Sequence, residues 1–348
     1  MQGSLRRIRV LGVMGAAIAL TIVGCSAEPE PTVTPPAEDP SAALIAAAKA
    51  EGSVTFYTTA AADPAQVQAD AFTAKYGVQT NMVRLTGAQM DQRFQAEINS
   101  AGGTEADILF TTNPVLIADS LKAGALIALK DAEMPGYPWD FPERFLIPDA
   151  GSAVTLVQPV GIAYNTDLVK GDDIPKEWAD LLDPKWKGKI AIANPTSSLA
   201  YVGEWAVIEK QQGGGYLSQL GAQDLKVYAA GATVNGALGS GEVALAGSIT
   251  VTSTVPDRKK GAPIDIVVPD KTSGIELSVG IVAKAKHPNA ARLFAMYAMS
   301  QEGALVLAKA SDSVSPYDTT GLPKTYQVAD IAGAPQMLAE IQSLLRVK

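Results

Sequence analysis

One cysteine and one histidine in 348 residues leave little of the chemistry that enzymes and metal proteins most often use. The single cysteine, Cys25, excludes an intrachain disulfide and a cysteine-built metal site. The single histidine, His287, has no second histidine to form a relay or an HExxH zinc site, and no P-loop run occurs. It stands before Pro288 at a predicted helix start, where capping or surface exposure accounts for it. Carboxylate pairs do acid–base work without histidine, but Asp172–Asp173 and Glu28/Glu30 fall in turns or proline-rich sequence. The chain therefore reads as a non-enzyme. Positive charge is also short, with 28 Lys and Arg against 36 Asp and Glu. That balance argues against nucleic acid and anionic lipid headgroups as partners. After the first 24 residues no apolar run is long enough to span a bilayer, and no internal repeat is visible.

Residues 1–24 carry Arg6, Arg7 and Arg9, no acidic residue, and an apolar run over 10–23. The run is short for a spanning helix and ends in small residues, which is the pattern of a signal peptide. It closes on Ile22-Val23-Gly24-Cys25, which resembles the bacterial lipobox, whose cysteine is acylated and becomes the mature N-terminus. Export and tethering to the cell membrane through a lipid on Cys25 are the expectation. Residues 25–40 are rich in proline and acid and should form a solvated tether. Removing the leader takes away three basic residues and no acidic one, so the formal charge goes from −8 to −11.

The body reads as α/β. A helix over 41–51 precedes a strand over 53–57, and Asp63-Pro64 offers an N-cap and first-turn pair for a helix running to Tyr76. Strands over 78–85 and 106–110 follow, separated by a helix over 88–100, and this alternation indicates βαβ units and a parallel sheet. Residues 134–148 are irregular and proline-rich, with Trp139, Phe141 and Phe145 as anchors of a surface loop or an aromatic lip. A second α/β unit starts at 160–164, with a short amphipathic helix around 178–182 and a strand over 189–193. It continues through a helix over 199–212, a strand over 243–246, a charged turn over 256–263 and a strand over 279–283. An amphipathic helix over 290–299 and a last helix over 335–345 complete the chain.

Small polar residues recur where strands end: Thr58-Thr59, Thr112-Asn113, Thr196-Ser197-Ser198, and Ser248 with Thr250. In open α/β sheets ligands sit at the carboxyl edge of the strands. A Ser/Thr run opening a helix presents N–H groups and hydroxyls that suit an oxyanion. At Thr196-Ser197-Ser198 an ordinary N-cap cluster and a ligand cradle both remain open. Arg84 offers a counter-charge or a solvated surface group, and Tyr57, Tyr201 and Trp205 offer ligand stacking or core packing. Glu276 could meet an amine, or be a solvated or hinge-bonded carboxylate.

The runs GIAYNTDLV, WADLLDPKWKGKIAIANPTSS, GEVALAG and KHPNAARLFAMYAMSQEGA resemble the extracellular solute-binding proteins of ABC importers. The resemblance covers most of 52–310 and is strongest to the ferric-iron-binding group, with thiamine, phosphonate and sugar-phosphate binders as relatives. It implies a two-lobed type II periplasmic-binding-protein fold with the ligand at the hinge. Lobe one would hold 41–157 and 280–310 and lobe two 158–279, with a tail over 311–348 packing on the lobes. Crossovers would lie near 154–160 and 278–282. It implies capture of a small anionic or polar solute by lobe closure, without a cofactor. A monomer would deliver that solute to a membrane permease and its ATPase. At the family's iron-ligand positions stand Ala61, Thr112 and Val251-Thr252, none of them an anionic oxygen donor. Iron(III) binding with a synergistic anion is the first alternative, and a structural or adhesion lipoprotein without a small ligand the second. Thr196, Ser197 and Ser198 match the family's anion-binding helix start.

Overall fold

The computed structural model describes residues 41–147 and 151–347. The leader, the Cys25 lipidation site and the tether lie outside the described residues. The first part of the chain runs α1 (Ala42–Glu51), β1 (Ser53–Thr58), α2 (Ala62–Tyr76), β2 (Gln79–Arg84), α3 (Gly87–Ile98), β3 (Ile108–Thr111), α4 (Pro114–Lys122) and β4 (Leu126–Ile127). After β5 (Leu146–Ile147) comes the long β6 (Ser152–Asn165), then β7 (Ile190–Ala193), α5 (Leu199–Gln212), α6 (Tyr216–Gly221), β8 (Lys226–Tyr228) and α7 (Gly231–Gly239). The rest is β9 (Leu245–Thr250), α8 (Val251–Lys259), β10 (Ile264–Val267), β11 (Ser273–Val282), α9 (Pro288–Met299), α10 (Gln301–Ser311), β12 (Gln327–Val328) and α11 (Ala334–Leu344).

The strands join in the order β2-β1-β3-β11-β6-β9-β7-β8. β1 is parallel to β2 and β3, and β9, β7 and β8 are parallel to one another. β11 and β6 run antiparallel between these two sets. Alternation along each strand builds two cores per half. Phe56 enters a cluster with Phe72 and Phe294, while its neighbour Tyr57 enters the opposite one with Met90 and Phe94. Ile190 and Ile192 face Trp178 and Trp205, while Ala191 and Ala193 face Val234 and Leu238. Phe294 of α9 makes edge contacts to Phe56 and Phe110 at centroid distances of 5.2 and 5.4 Å, locking this helix onto the first half. Val314 joins the same core, whereas Ala334, Ile341 and Leu345 join the core under α5.

Several local expectations change. Helix α2 starts at Ala62 with Ala61 as an N-cap that makes no side-chain bond, so Asp63 and Pro64 lie inside its first turn. Residues 178–182 form 3₁₀ turns, and Trp178 and Leu181, three apart, bury together as that period requires. The stretch read as a charged turn is largely helical, because α8 continues through Pro256 to Lys259. Ser253 and Thr254 hydroxyls donate back to the Thr250 and Val251 carbonyls in its first turn. Ser248 and Thr250 lie within β9, and Glu276 lies within β11. Ser278 already pairs with Thr111 of β3, so the second passage between halves lies upstream of the expected 278–282.

Candidate functional site

Strand register brings the polar strand ends together. In the first half Thr58 aligns with Arg84 and with Phe110, so β1, β2 and β3 end on one edge. In the second, Ala193 aligns with Tyr228 and Ala191 with Ala246, which puts Asn194 and Ser248 on another edge. The link is β6, where Val157 faces Glu276 and Val160 faces Thr250. Three residues of extended chain span roughly 10 Å, so the two carboxyl edges face each other across a small-molecule distance.

On the first edge the hydroxyls are engaged with backbone. Thr58 Oγ1 accepts from the Ala60 N–H at 3.1 Å, and Thr59 Oγ1 accepts from the Thr112 N–H at 3.1 Å, tying the ends of β1 and β3. Asn113 Oδ1 caps α4 by accepting from the Val115 N–H at 3.0 Å, and its Nδ2 donates to Asp91 Oδ2 at 2.8 Å. The other Asp91 oxygen is buried without a partner, and burial pushes this carboxyl above its usual range. Arg84 reaches only the Ala60 carbonyl, with Nε at 3.5 Å.

On the second edge Asn194 organises the turn. Its Oδ1 accepts from the Thr196 N–H and Oγ1, both at 2.9 Å, and its carbonyl accepts from Ser197 Oγ at 2.7 Å. Ser198 Oγ accepts from the Ala200 N–H at 3.2 Å and caps α5. Thr196 and Ser197 are exposed, and Ser198 is half-buried. The cap uses Ser198 as acceptor, which leaves its hydroxyl proton free to donate. Cap and cradle are thus compatible roles. The Thr250 hydroxyl makes no hydrogen bond among the described residues.

Ser248 takes a left-handed backbone, φ 54°, inside β9, and donates to Glu204 Oε2 at 2.7 Å. A strained non-glycine residue beside a ligand edge is a common mark of a functional position. Glu204, on α5, is 1 % exposed, and burial pushes its carboxyl up to about 8 despite the Ser248 bond. Its signal in the sequence was a lone carboxylate in the apolar run Leu199–Ile208, and periodicity alone did not raise it. The Glu276 side chain has no hydrogen bond and no ion pair among the described residues, and burial pushes its carboxyl upward as well. Tyr57 does not stack on a ligand: it donates to Glu97 at 2.9 Å within the core, with the Arg93 guanidinium 4.7 Å from its ring centre. Trp205 packs edge-on against Trp178 at 5.9 Å, and Tyr201 accepts from the Gly231 N–H at 3.3 Å.

Of the family's iron-ligand positions, Ala61 is the N-cap of α2, Thr112 directly follows β3, and Val251-Thr252 open α8, where Thr252 bonds Ser313. Among the described residues no group of three His, Cys, Asp or Glu side chains converges on a metal-sized site. A cavity of about 550 Å³ lies away from the strand edges, lined by residues including Asp173, Asp183, Lys185 and Trp186. Two of its carboxylates are already answered, since Lys185 pairs with Asp173 at 2.7 Å and with Asp183 at 3.4 Å.

Residues 104–330 match the family model described as bacterial extracellular solute-binding protein. The chain belongs to that family. It is 28% identical over 286 residues to an uncharacterized protein of Haemophilus influenzae, covering 78% of this chain and 80% of the relative. Among solved structures it is similar to the substrate-binding protein of an ABC transporter from Agrobacterium tumefaciens (TM-score 0.72, 14% identity, 84% of this chain and 94% of that one). It is also similar to the periplasmic binding protein AfuA from Actinobacillus pleuropneumoniae, solved with fructose-6-phosphate (TM-score 0.64, 22% identity, 85% and 99% covered). Iron-bound HitA from Pseudomonas aeruginosa is a third (TM-score 0.61, 22% identity, 84% and 98% covered). The fold is thus that of the two-lobed periplasmic solute-binding proteins, and the protein is a bacterial extracellular solute-binding protein. Family membership implies a small-molecule ligand and an extracytoplasmic location.

Proposed function

We propose that this protein captures a small anionic or polar organic solute between its two lobes and delivers it, chemically unchanged, to a permease and its ATPase. The observation that carries this reading is the meeting of two polar carboxyl edges across residues 157–160 of β6. Lobe one is assigned 41–157 with the helices after β11, lobe two the segment from 158 to the start of β11, and the tail packs on both. Thr58, Thr59, Thr112 and Asn113 approach the solute from lobe one, and Thr196, Ser197, Ser198, Ser248 and Thr250 from lobe two, with Glu276 at the crossover. Backbone N–H groups and hydroxyls at the start of α5 hold an oxyanion, favoured by the helix dipole. Contacts to both lobes favour the closed form. No residue set for turnover is assigned.

A thermal-shift screen over phosphates, phosphonates, carboxylates, polyamines and thiamine tests the reading. A true solute stabilises by about RT ln(1 + [L]/Kd) without being consumed. Ser197→Ala with Ser198→Ala should then weaken its binding, by about tenfold for one lost charge-assisted bond plus a weakened cap. Unchanged affinity in that double variant removes the α5 start from the site.

The reading includes a monomer anchored through a lipid on Cys25. Cys25→Ser should move the protein from the membrane to the soluble fraction, and lipid labelling that persists in the variant would refute the anchor.

A further inference from the structure

Where α5, β11 and the segment before β12 converge, the chain leaves several polar groups unanswered. The side chain of Glu276 in β11 has neither a hydrogen bond nor an ion pair among the described residues. Gln327 pairs in parallel with Ser273, which sets Tyr326 beside Thr272, on the face of β11 that also carries Glu276. The Tyr326 hydroxyl is buried and has no partner, and neither do Ser273 Oγ and Gln211 Oε1. Burial pushes the Tyr326 phenol upward, and the Glu276 and Glu204 carboxyls push it the same way. Helix α5, which carries Glu204, is clamped to this segment: Gln211 Nε2 donates to the Thr325 carbonyl at 2.9 Å and to the Thr272 carbonyl at 3.3 Å. Gly203 lies so close to Asp330 that a Cβ there would stand 2.9 Å from its backbone. The only partner of Glu204 is the Ser248 hydroxyl, and no Lys or Arg pairs with either glutamate among the described residues.

A carboxylate and a buried phenol oxygen on one face of β11, with no cation paired to the carboxylate among the described residues, are costly to keep in a fold unless something else completes them. The missing complement is a donor of several N–H bonds that also carries positive charge. An ammonium group has three donors and no acceptor, which fits this set, whereas a hydroxyl supplies one donor and no charge. We infer that this junction is the cation-accepting half of the solute site, with Glu276 and the Tyr326 oxygen receiving a protonated amine. The inference rests on the solute-cleft reading and sharpens it. Together with the oxyanion cradle at the start of α5, it makes the solute a small zwitterion bearing an oxyanion and an amine.

Calorimetric titration of the mature protein with ethanolamine phosphate, ethyl phosphate and putrescine, repeated on Glu276→Gln and Tyr326→Phe, separates the possibilities. Wild type should bind ethanolamine phosphate about tenfold or more tighter than ethyl phosphate, as a charge-assisted contact allows. Glu276→Gln should erase that difference and leave ethyl phosphate within about twofold, and Tyr326→Phe should reduce it in part. Equal binding of the two phosphates in wild type overturns the inference while leaving an anion-binding cleft intact. Binding of putrescine alone, lost in Glu276→Gln, supports the amine subsite and counts against the anionic solute. Failure of every amine probe to show Glu276-dependent binding overturns the inference. So does a thermal midpoint several degrees lower for unliganded Glu276→Gln, since that would make Glu276 a structural group.

Discussion

Asp107→Ala should lower the unfolding free energy by about 3–5 kcal/mol while changing solute affinity less than about twofold. Asp107 is 0 % exposed and stands just before β3. Its Oδ2 accepts from the Thr55 N–H at 2.8 Å and lies 2.8 Å from His287 Nδ1, and its Oδ1 accepts from the His287 N–H at 2.9 Å. Truncation strands two backbone donors and a ring nitrogen, each costing about 1–3 kcal/mol when buried and unpaired, less what water recovers at the half-exposed histidine. This places the single histidine in a structural tie between β1, β3 and the start of α9, away from the ligand edge. Urea denaturation measures the effect, with Asp107→Asn expected to fall between wild type and alanine. A loss below about 1 kcal/mol for the alanine variant would show that solvent or local movement answers these donors.

The second large effect is a dependence on pH. Glu204 has its folded-state carboxyl raised to about 8 by burial, against an ordinary value near 4.5. A raised carboxyl binds more protons folded than unfolded across that interval, so stability falls as pH rises. The stabilising protonated form is fully present below about pH 4.5 and is lost as pH passes through about 8. At about 1.36 kcal/mol per pH unit the loss is at most ~4–5 kcal/mol. Glu204→Gln, which mimics the protonated acid, should match wild type near pH 4 and exceed it by several kcal/mol above pH 8, on the order of that upper bound. Asp91 and Glu276, also raised by burial, give a smaller slope of the same sign that the variant retains. Denaturation curves at pH 5, 6, 7, 8 and 9 decide it, and a slope unchanged by Glu204→Gln would show that Glu204 finds water or a cation in the folded state.

The architecture was legible because the period of the sequence switches cleanly between strand and helix from Ser53 to Phe110 and again from Val160 to Ala193. The polar strand ends were legible for the same reason: small hydroxyl residues that follow an apolar run of four to six can only stand at a sheet edge. Glu276 was harder to place, because β11 begins with polar residues that pair with β6 at the crossover and so lack the alternation of a half-buried strand. Helix α8 was hidden by Pro256, which local rules treat as a stop. Glu204 and Tyr326 were out of reach altogether. One sits on α5 and the other 122 residues further along the chain, and only the tertiary packing of the tail on α5 brings their segments together.

The central claim, capture of a solute by closure of two lobes, is tested most directly by small-angle X-ray scattering of the mature protein with and without the solute that most raises its melting temperature. The account predicts a smaller radius of gyration that saturates at one solute per protein, with the solute recovered unchanged. Saturable binding with no compaction, or chemical conversion of the solute, would contradict it.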